Sequence, residues 1–291
     1  MQTIAESSNQ EEIWDLEIKP KSGLFELNLN DLWHYRDLMW LFVRRDFVAQ
    51  YKQTVLGPIW HFIQPLLTTL MFLLVFGKIA NIPTDGIDPI LFYMAGNVVW
   101  SYFSSCLTGT SNTFVANASI FGKVYFPRLV IPLSVVISNI VKFGIQFLLL
   151  LATMIYSYLV NGKAIYLSIT WLYIIPIVLL LAGIGLGLGI IISALTTKYR
   201  DFTVLIGFAV QLLMYVSPVI YPLSYLNGKS YKWLVSLNPL TSVIEAFKWS
   251  VLGQGTVELT GIAYSIGFMV VVLVMGSIIF NKVEKSFMDT V

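Results

Sequence analysis

The stretch "WLYIIPIVLLLAGIGLGLGIIISAL", residues 171–195, contains no Asp, Glu, Lys or Arg. A helix needs about 20 consecutive apolar residues to cross the hydrocarbon core of a bilayer, and this stretch supplies them. Five further apolar runs flank it, at 59–79, 89–114, 129–160, 202–221 and 261–280. Lys142 is the one charge deep inside any of the six runs, whereas Lys78 sits at the end of the first. The 291 residues are 57% hydrophobic and 12% charged, where soluble domains carry about 25% charged residues. The solvent for such a chain is a membrane.

These patterns predict an all-α polytopic membrane protein with six transmembrane helices. An even number of spans places both termini on one side. The first 58 residues are mixed and charged, unlike a secretory signal, so the first span is expected to remain in the protein. Orientation follows from the excess of Lys and Arg in cytoplasmic segments. With a cytoplasmic N terminus, Lys19, Lys21, Arg36, Arg44, Arg45, Lys52, Lys123, Arg128, Lys198, Arg200, Lys282 and Lys285 lie inside. Only Lys78, Lys163, Lys229, Lys232 and Lys248 then lie outside. A net charge of +2 gives no reason to expect nucleic acid as a partner. The single cysteine, Cys106, permits no intrachain disulfide and reads as a small core residue.

Residues 1–30 read as a cytoplasmic tail. From Leu32 onward Trp33, Met39, Trp40, Val43, Phe47 and Tyr51 recur at helical spacing, with charges mostly elsewhere on the wheel. This predicts an amphipathic helix at the membrane interface, or one packed on its own protein. Gly57 and Pro58 end it. Between spans five and six, the connection 222–260 is too apolar for an exposed loop. There Asn238 fits an N-cap with Pro239 at the first helical position. Val243, Ile244, Phe247, Val251 and Leu252 form a stripe too short to span, which predicts short re-entrant or interfacial helices.

Signals for catalysis are poor. His34 and His61 have no carboxylate or cysteine at metal-ligand spacing. "GKS", residues 228–230, lacks the preceding glycine of a phosphate loop, so no nucleotide site is expected in this chain. The glycines of 183–189 miss the dinucleotide pattern. Gly183 with Gly187, and Gly185 with Gly189, fit close helix–helix contacts instead. Lys142 lies about 21 Å along a helix from Arg128. It should face protein or a wet cavity, whether as a functional charge, a paired structural lysine or a group nearer the outer surface. Arg200 and Asp201 read as a local ion pair in a short inner loop.

Several stretches in order carry a family likeness: "LWHYRDLMWLFVRRDFVAQYKQTVLGPIW" (32–60), "FGKVYFPRLVIP" (121–132), "SAL" (193–195) followed by "YRD" (199–201), "SPVIYP" (217–222), "LNP" (237–239) and "VEKSFMD" (283–289). Over about 32–291 the chain resembles the membrane permease subunit of type-2 ABC exporters, in the polysaccharide and O-antigen export class. It departs from the family pattern at Lys142, near which an acidic residue is usual, and at Lys248, which stands for an arginine.

The resemblance implies a permease domain over 31–291 in the bacterial inner membrane, with both termini cytoplasmic. It implies a second copy of the chain and two copies of an ATP-binding cassette subunit, which binds the ATP and Mg. This chain itself then holds no cofactor. The cargo implied is a lipid-linked glycan. The same architecture also serves teichoic acid, capsule, lipid or drug export, and an ion-coupled carrier is a more distant alternative.

The implied coupling segment is Phe121, Gly122, Lys123, Val124, Tyr125, Phe126, Pro127 and Arg128, docking on the ATPase with Phe121, Tyr125 and Phe126 as anchors and Lys123 and Arg128 as rim. Membrane-interface anchoring is the other reading of that composition. Arg44, Arg45, Asp46 and Tyr51 are expected against the same partner. Trp60, Tyr93, Trp100, Tyr102 and Phe103 are the expected aromatic lining of a glycan pathway.

Overall fold

The computed structural model describes residues 29–52, 57–121, 123–124, 126–162, 166, 168–199 and 201–288. The expected tail at 1–30 lies almost wholly outside them. Among the described residues the regular elements are all helical: α1 (Leu29–His34), α2 (Arg36–Tyr51), α3 (Trp60–Phe72), α4 (Pro89–Ser111), α5 (Thr113–Phe121), α6 (Val130–Asn161), α7 (Ile174–Lys198), α8 (Phe202–Val216), α9 (Lys232–Ser236), α10 (Pro239–Leu252) and α11 (Leu259–Met288). A π-helical turn, Leu73–Ile79, extends α3, and a 3₁₀ turn, Ile169–Tyr173, leads into α7.

Among the described residues five helices are long and apolar enough to cross a membrane: Trp60–Ile79, Pro89–Ser111, Val130–Val160, Ile169–Lys198 and Leu259–Val283. They coincide with five of the six apolar runs. The run 202–221 differs. Its helix α8 stops at Val216 after 15 residues, about 22 Å of rise, and 217–221 finish without helix. Ser217 and Val219 are fully buried and Ile220 nearly so. Backbone outside a helix is tolerated at membrane depth where protein covers it. The run still joins the two ends of the bundle, because it follows α7 at one end and Ser224 reaches Asp85 at the other, at 2.6 and 2.8 Å.

Helices α4 and α7 form the centre, with 72% and 56% of their apolar windows buried, against 11% for α3 and 17% for α11. Glycine permits this. A Cβ at Gly189 would meet the Thr110 side chain at 2.6 Å and one at Gly185 would meet Cys106 at 3.0 Å, both on α4. A Cβ at Gly187 would stand 2.9 Å from the backbone of Val272 on α11, and Gly183 faces Met269 of the same helix. The two small-residue pairs therefore serve opposite faces of α7, one for each neighbour. Cys106 is buried there and free.

Asn238 caps α10 as expected, its side chain accepting from Leu240 N at 3.0 Å with Pro239 following. The apolar stripe Val243, Ile244, Phe247 and Val251 is at most 1% exposed. This short helix is packed against α4, α7 and α11.

The face of α2 differs from the sequence expectation. Phe42 and Val43 are buried, with Leu32, Tyr35, Leu38 and Met39 beside them, while Trp33 and Trp40 are 72% and 62% exposed. Trp33 belongs to α1 and Trp40 to α2, on either side of a break at Tyr35 (φ −89°, ψ 19°), and both side chains are turned away from the protein. Outward tryptophans suit the membrane interface. One side of α2 is thus packed on the protein and the other is open.

Candidate functional site

The ends of α2, α5, α7 and α11 and the start of α6 meet in one aromatic cluster. Phe114 stacks on Phe280 at 4.7 Å and lies 5.9 Å from Phe121. Phe126 lies 5.7 Å from both Phe121 and Phe42. Val130, Ile131 and Ile190 complete the cluster. Arg128, 4% exposed, sits over the Phe121 ring at 5.2 Å, and Arg45 over Phe42 at 4.7 Å. Bulky rings cluster here because short connections bring several helix ends together, and each ring covers apolar surface of its neighbours.

This corrects the anchor reading of residues 121–128. Phe121 and Phe126, each 4% exposed, face the protomer's own interior, and Arg128 is tucked behind them. Pro127 is buried as well. Lys123 and Val124 are exposed, Val124 at 58%. Gly122 and Tyr125 lie outside the described residues. The segment is therefore a loop whose flanking rings hold it from within and whose tip is offered outward.

The amphipathic helix is tied to the same place. Arg45 Nη2 lies 2.7 Å from Asp46 Oδ1 and 3.4 Å from the Asn117 side-chain oxygen, which accepts from it. Asn117 stands at a kink in α5, with φ −118° and ψ 16°, and its amide donates to Thr113 O at 3.0 Å. Arg44 is exposed on the neighbouring face. The side chain of Tyr51 and the whole of Arg200 lie outside the described residues, so the expected Arg200–Asp201 pair does too.

Lys142 lines a cavity of about 250 Å³ between α2, α4 and α6, together with Asp46, Ser105, Thr108, Ser138 and Asn139. Lys142 thus stands at a cavity with a largely polar lining. The expected pathway aromatics divide. Trp60 is 49% exposed, whereas Tyr93, Trp100, Tyr102 and Phe103 are 0–6% exposed in the central core. Tyr102 packs on Phe143 at 5.4 Å and Trp100 on Phe103 at 5.5 Å. These four rings are core packing within the protomer, with no open face for a sugar.

At the other end of the bundle, Lys248 and Glu245 form a buried pair on α10, 3.5 Å apart and 1% and 2% exposed. The Lys248 ammonium donates to Pro218 O in the broken finish of the α8 run and lies 3.8 Å over the Phe92 ring. Asn238 Nδ2 donates to Ser217 Oγ at 2.8 Å. A Cβ at Gly96 would collide with Val219 O. The carbonyl left without a helical partner by the break is thus satisfied by a buried cation. Opposite charges three residues apart within a buried apolar stripe were the available signal for a helical ion pair; its target, a carbonyl 30 residues earlier, had none. Among the described residues no group of three His, Cys, Asp or Glu is placed to hold a metal.

Residues 37–252 match the family described as ABC-2 type transporter. The chain is similar to the O-antigen export system permease protein RfbA of Klebsiella pneumoniae, 31% identical over 258 residues, covering 87% of this chain and 94% of that protein. It is 29% identical over 225 residues to the protein of the same description from Myxococcus xanthus, covering 76% and 82%. The polysialic acid transport protein KpsM of Escherichia coli is 23% identical over 252 residues, covering 84% and 93%.

Proposed function

Because the chain belongs to the ABC-2 type transporter family, we propose that it is the membrane-spanning permease subunit of an ATP-driven exporter that moves a lipid-linked, O-antigen-like polysaccharide across the bacterial inner membrane. A separate ATP-binding cassette subunit binds the ATP and Mg. Two copies of each make the working assembly, with six crossings per permease and both termini in the cytoplasm. The names of the relatives support the cargo class, and the collection of basic residues near Lys123 supports a cytoplasmic position for that end.

The observation that carries the coupling proposal is the loop at 121–128. Its tip, Lys123 and Val124, is exposed, while its roots are locked to α2, α5 and α11 through Phe42, Phe114 and Phe280. A partner pressing on the tip and on Arg44 moves three helices as one body, because stacked rings resist shear better than a free loop. The anchoring role therefore passes from Phe121 and Phe126 to Lys123 and Val124, with Tyr125 kept as an expected anchor. The exposure of Trp60 supports keeping it, of the expected pathway aromatics, as the proposed contact for cargo or a second copy.

The test is reconstitution in vesicles with the ATPase subunit and a lipid-linked glycan. Glycan should move only with ATP and with both proteins present. Because Cys106 is buried, Lys123→Cys provides an accessible labelling site, and it should react from the cytoplasmic face. Uphill transport by the permease alone, or labelling of that cysteine only from the opposite face, overturns the proposal.

A further inference from the structure

The cavity between α2, α4 and α6 takes no part in the coupling loop, yet it is equipped for an anion. We propose that it binds the phosphate of a lipid headgroup, with Lys142 as counter-ion and Ser138 as hydroxyl donor.

Lys142 makes no hydrogen bond or ion pair among the described residues. Asp46, the one carboxylate lining the cavity, is engaged by Arg45 at 2.7 Å. Among the described residues the positive charge of Lys142 therefore has no bonded partner, and an unpaired ammonium at membrane depth is costly unless something answers it. Ser138, 6% exposed, carries a hydroxyl with no hydrogen-bond partner, and it lies one helical turn from Lys142 on the same wall. Buried polar groups without partners are rare and mark a missing ligand or solvent. A phosphate oxygen accepts from both groups at once, and a charge-assisted bond from an ammonium is the stronger kind. Asn139 and Ser105 supply further polar wall.

Size and position select a headgroup. At about 250 Å³ the cavity is smaller than the roughly 300–1,000 Å³ of pockets that enclose drug-sized molecules, so a polymer is excluded and a phosphate fits. One wall is α2, whose Trp40 is turned away from the protein, as is Trp33 on the preceding α1. Beside the cavity Val48, Ile140 and Val141 are 40–50% exposed, which suits acyl or prenyl chains. The lipid phosphate belongs either to a bilayer phospholipid or to a lipid-linked cargo, and the site does not depend on the cargo being a glycan.

Lipid retention by the purified full-length protein in detergent, read by native mass spectrometry, tests this. The probes are phosphatidic acid, phosphatidylglycerol, a polyprenyl diphosphate, diacylglycerol and inorganic phosphate. Wild type should retain the phosphate-bearing lipids over diacylglycerol, Lys142→Arg should keep that retention, and Lys142→Met should lower it about tenfold. Stronger retention of polyprenyl diphosphate identifies a cargo site, and stronger retention of phosphatidylglycerol identifies a bilayer-lipid site. Should Lys142→Met fail to fold, Asp46→Asn serves instead, since removing the carboxylate should raise retention severalfold. Equal retention by wild type and Lys142→Met, no gain in Asp46→Asn, diacylglycerol held as well as phosphatidic acid, or full competition by inorganic phosphate would each overturn the proposal.

Discussion

At one end of the bundle Lys123 and Arg44 stand in the open on elements braced from behind by Phe42, Phe121 and Phe126, whereas at the other Lys248 and Glu245 are sealed to 1% and 2% exposure and brace a broken piece of chain. The same residue types serve opposite ends by different physics. An exposed charge keeps its water and contributes little to stability, so it is free to meet a partner. A buried charge has lost its water, and its neighbours must compensate fully, so it is committed to the fold. What is displayed at the first end is therefore open to the recognition proposed above, and what is hidden at the second is chemistry for holding Pro218 where α8 gives out.

The largest effect should come from breaking the buried pair. Lys248→Met alone leaves Glu245 uncompensated and Pro218 O unsatisfied, and should destabilise the protein by about 3–5 kcal/mol. Combined with Glu245→Gln it should recover much of that loss. Thermal unfolding in detergent measures both, and equal losses in the single and double variants would mean that the pair is not the feature that matters. At the other end, Phe126→Ala empties a place in the ring cluster and should cost about 3 kcal/mol, while also loosening the tip from α2 and lowering ATP-dependent transport. A variant that loses stability but keeps full coupling would detach the ring cluster from force transmission.

A smaller effect is expected from Asn238→Ala, which removes the α10 cap and the bond to Ser217 and should cost about 1 kcal/mol by the same unfolding measurement. The smallest stability effect belongs to Lys123→Ala, within about 0.5 kcal/mol. Its consequence should appear instead as a roughly fivefold loss of affinity for the ATPase subunit, measured by surface-immobilised binding. A Lys123→Ala protein that unfolds like Lys248→Met would erase the contrast between the ends.

Much of this architecture was legible along the chain. Long uncharged runs report spans because the hydrocarbon core demands about 20 apolar residues whatever their order. Gly183, Gly185, Gly187 and Gly189 could be read as packing residues from their spacing, and the structure assigns each pair its own neighbour, α11 or α4. Asn238 followed by Pro239 announced a helix start because capping depends on atoms a few residues away. The direction in which Phe121, Phe126, Tyr93 and Tyr102 point was not legible. Aromatic rings suit a partner's groove, a membrane interface and a private core equally well, and only the neighbouring elements choose among them.

The amino-acid sequence alone determined the solvent of this protein, its helical class, most of its crossings and its small-residue seams, since these follow from composition and local periodicity. The tertiary structure alone decided that α8 stops short and ends in a buried run of turns, that Lys248 answers the carbonyl of Pro218, that Phe121 and Phe126 face inward, and that Lys142 opens onto a polar cavity beside Ser138. The reason is physical: each of those outcomes depends on which distant atoms remove water from a group. Desolvation is a property of packing in three dimensions, and periodicity along one chain does not record it.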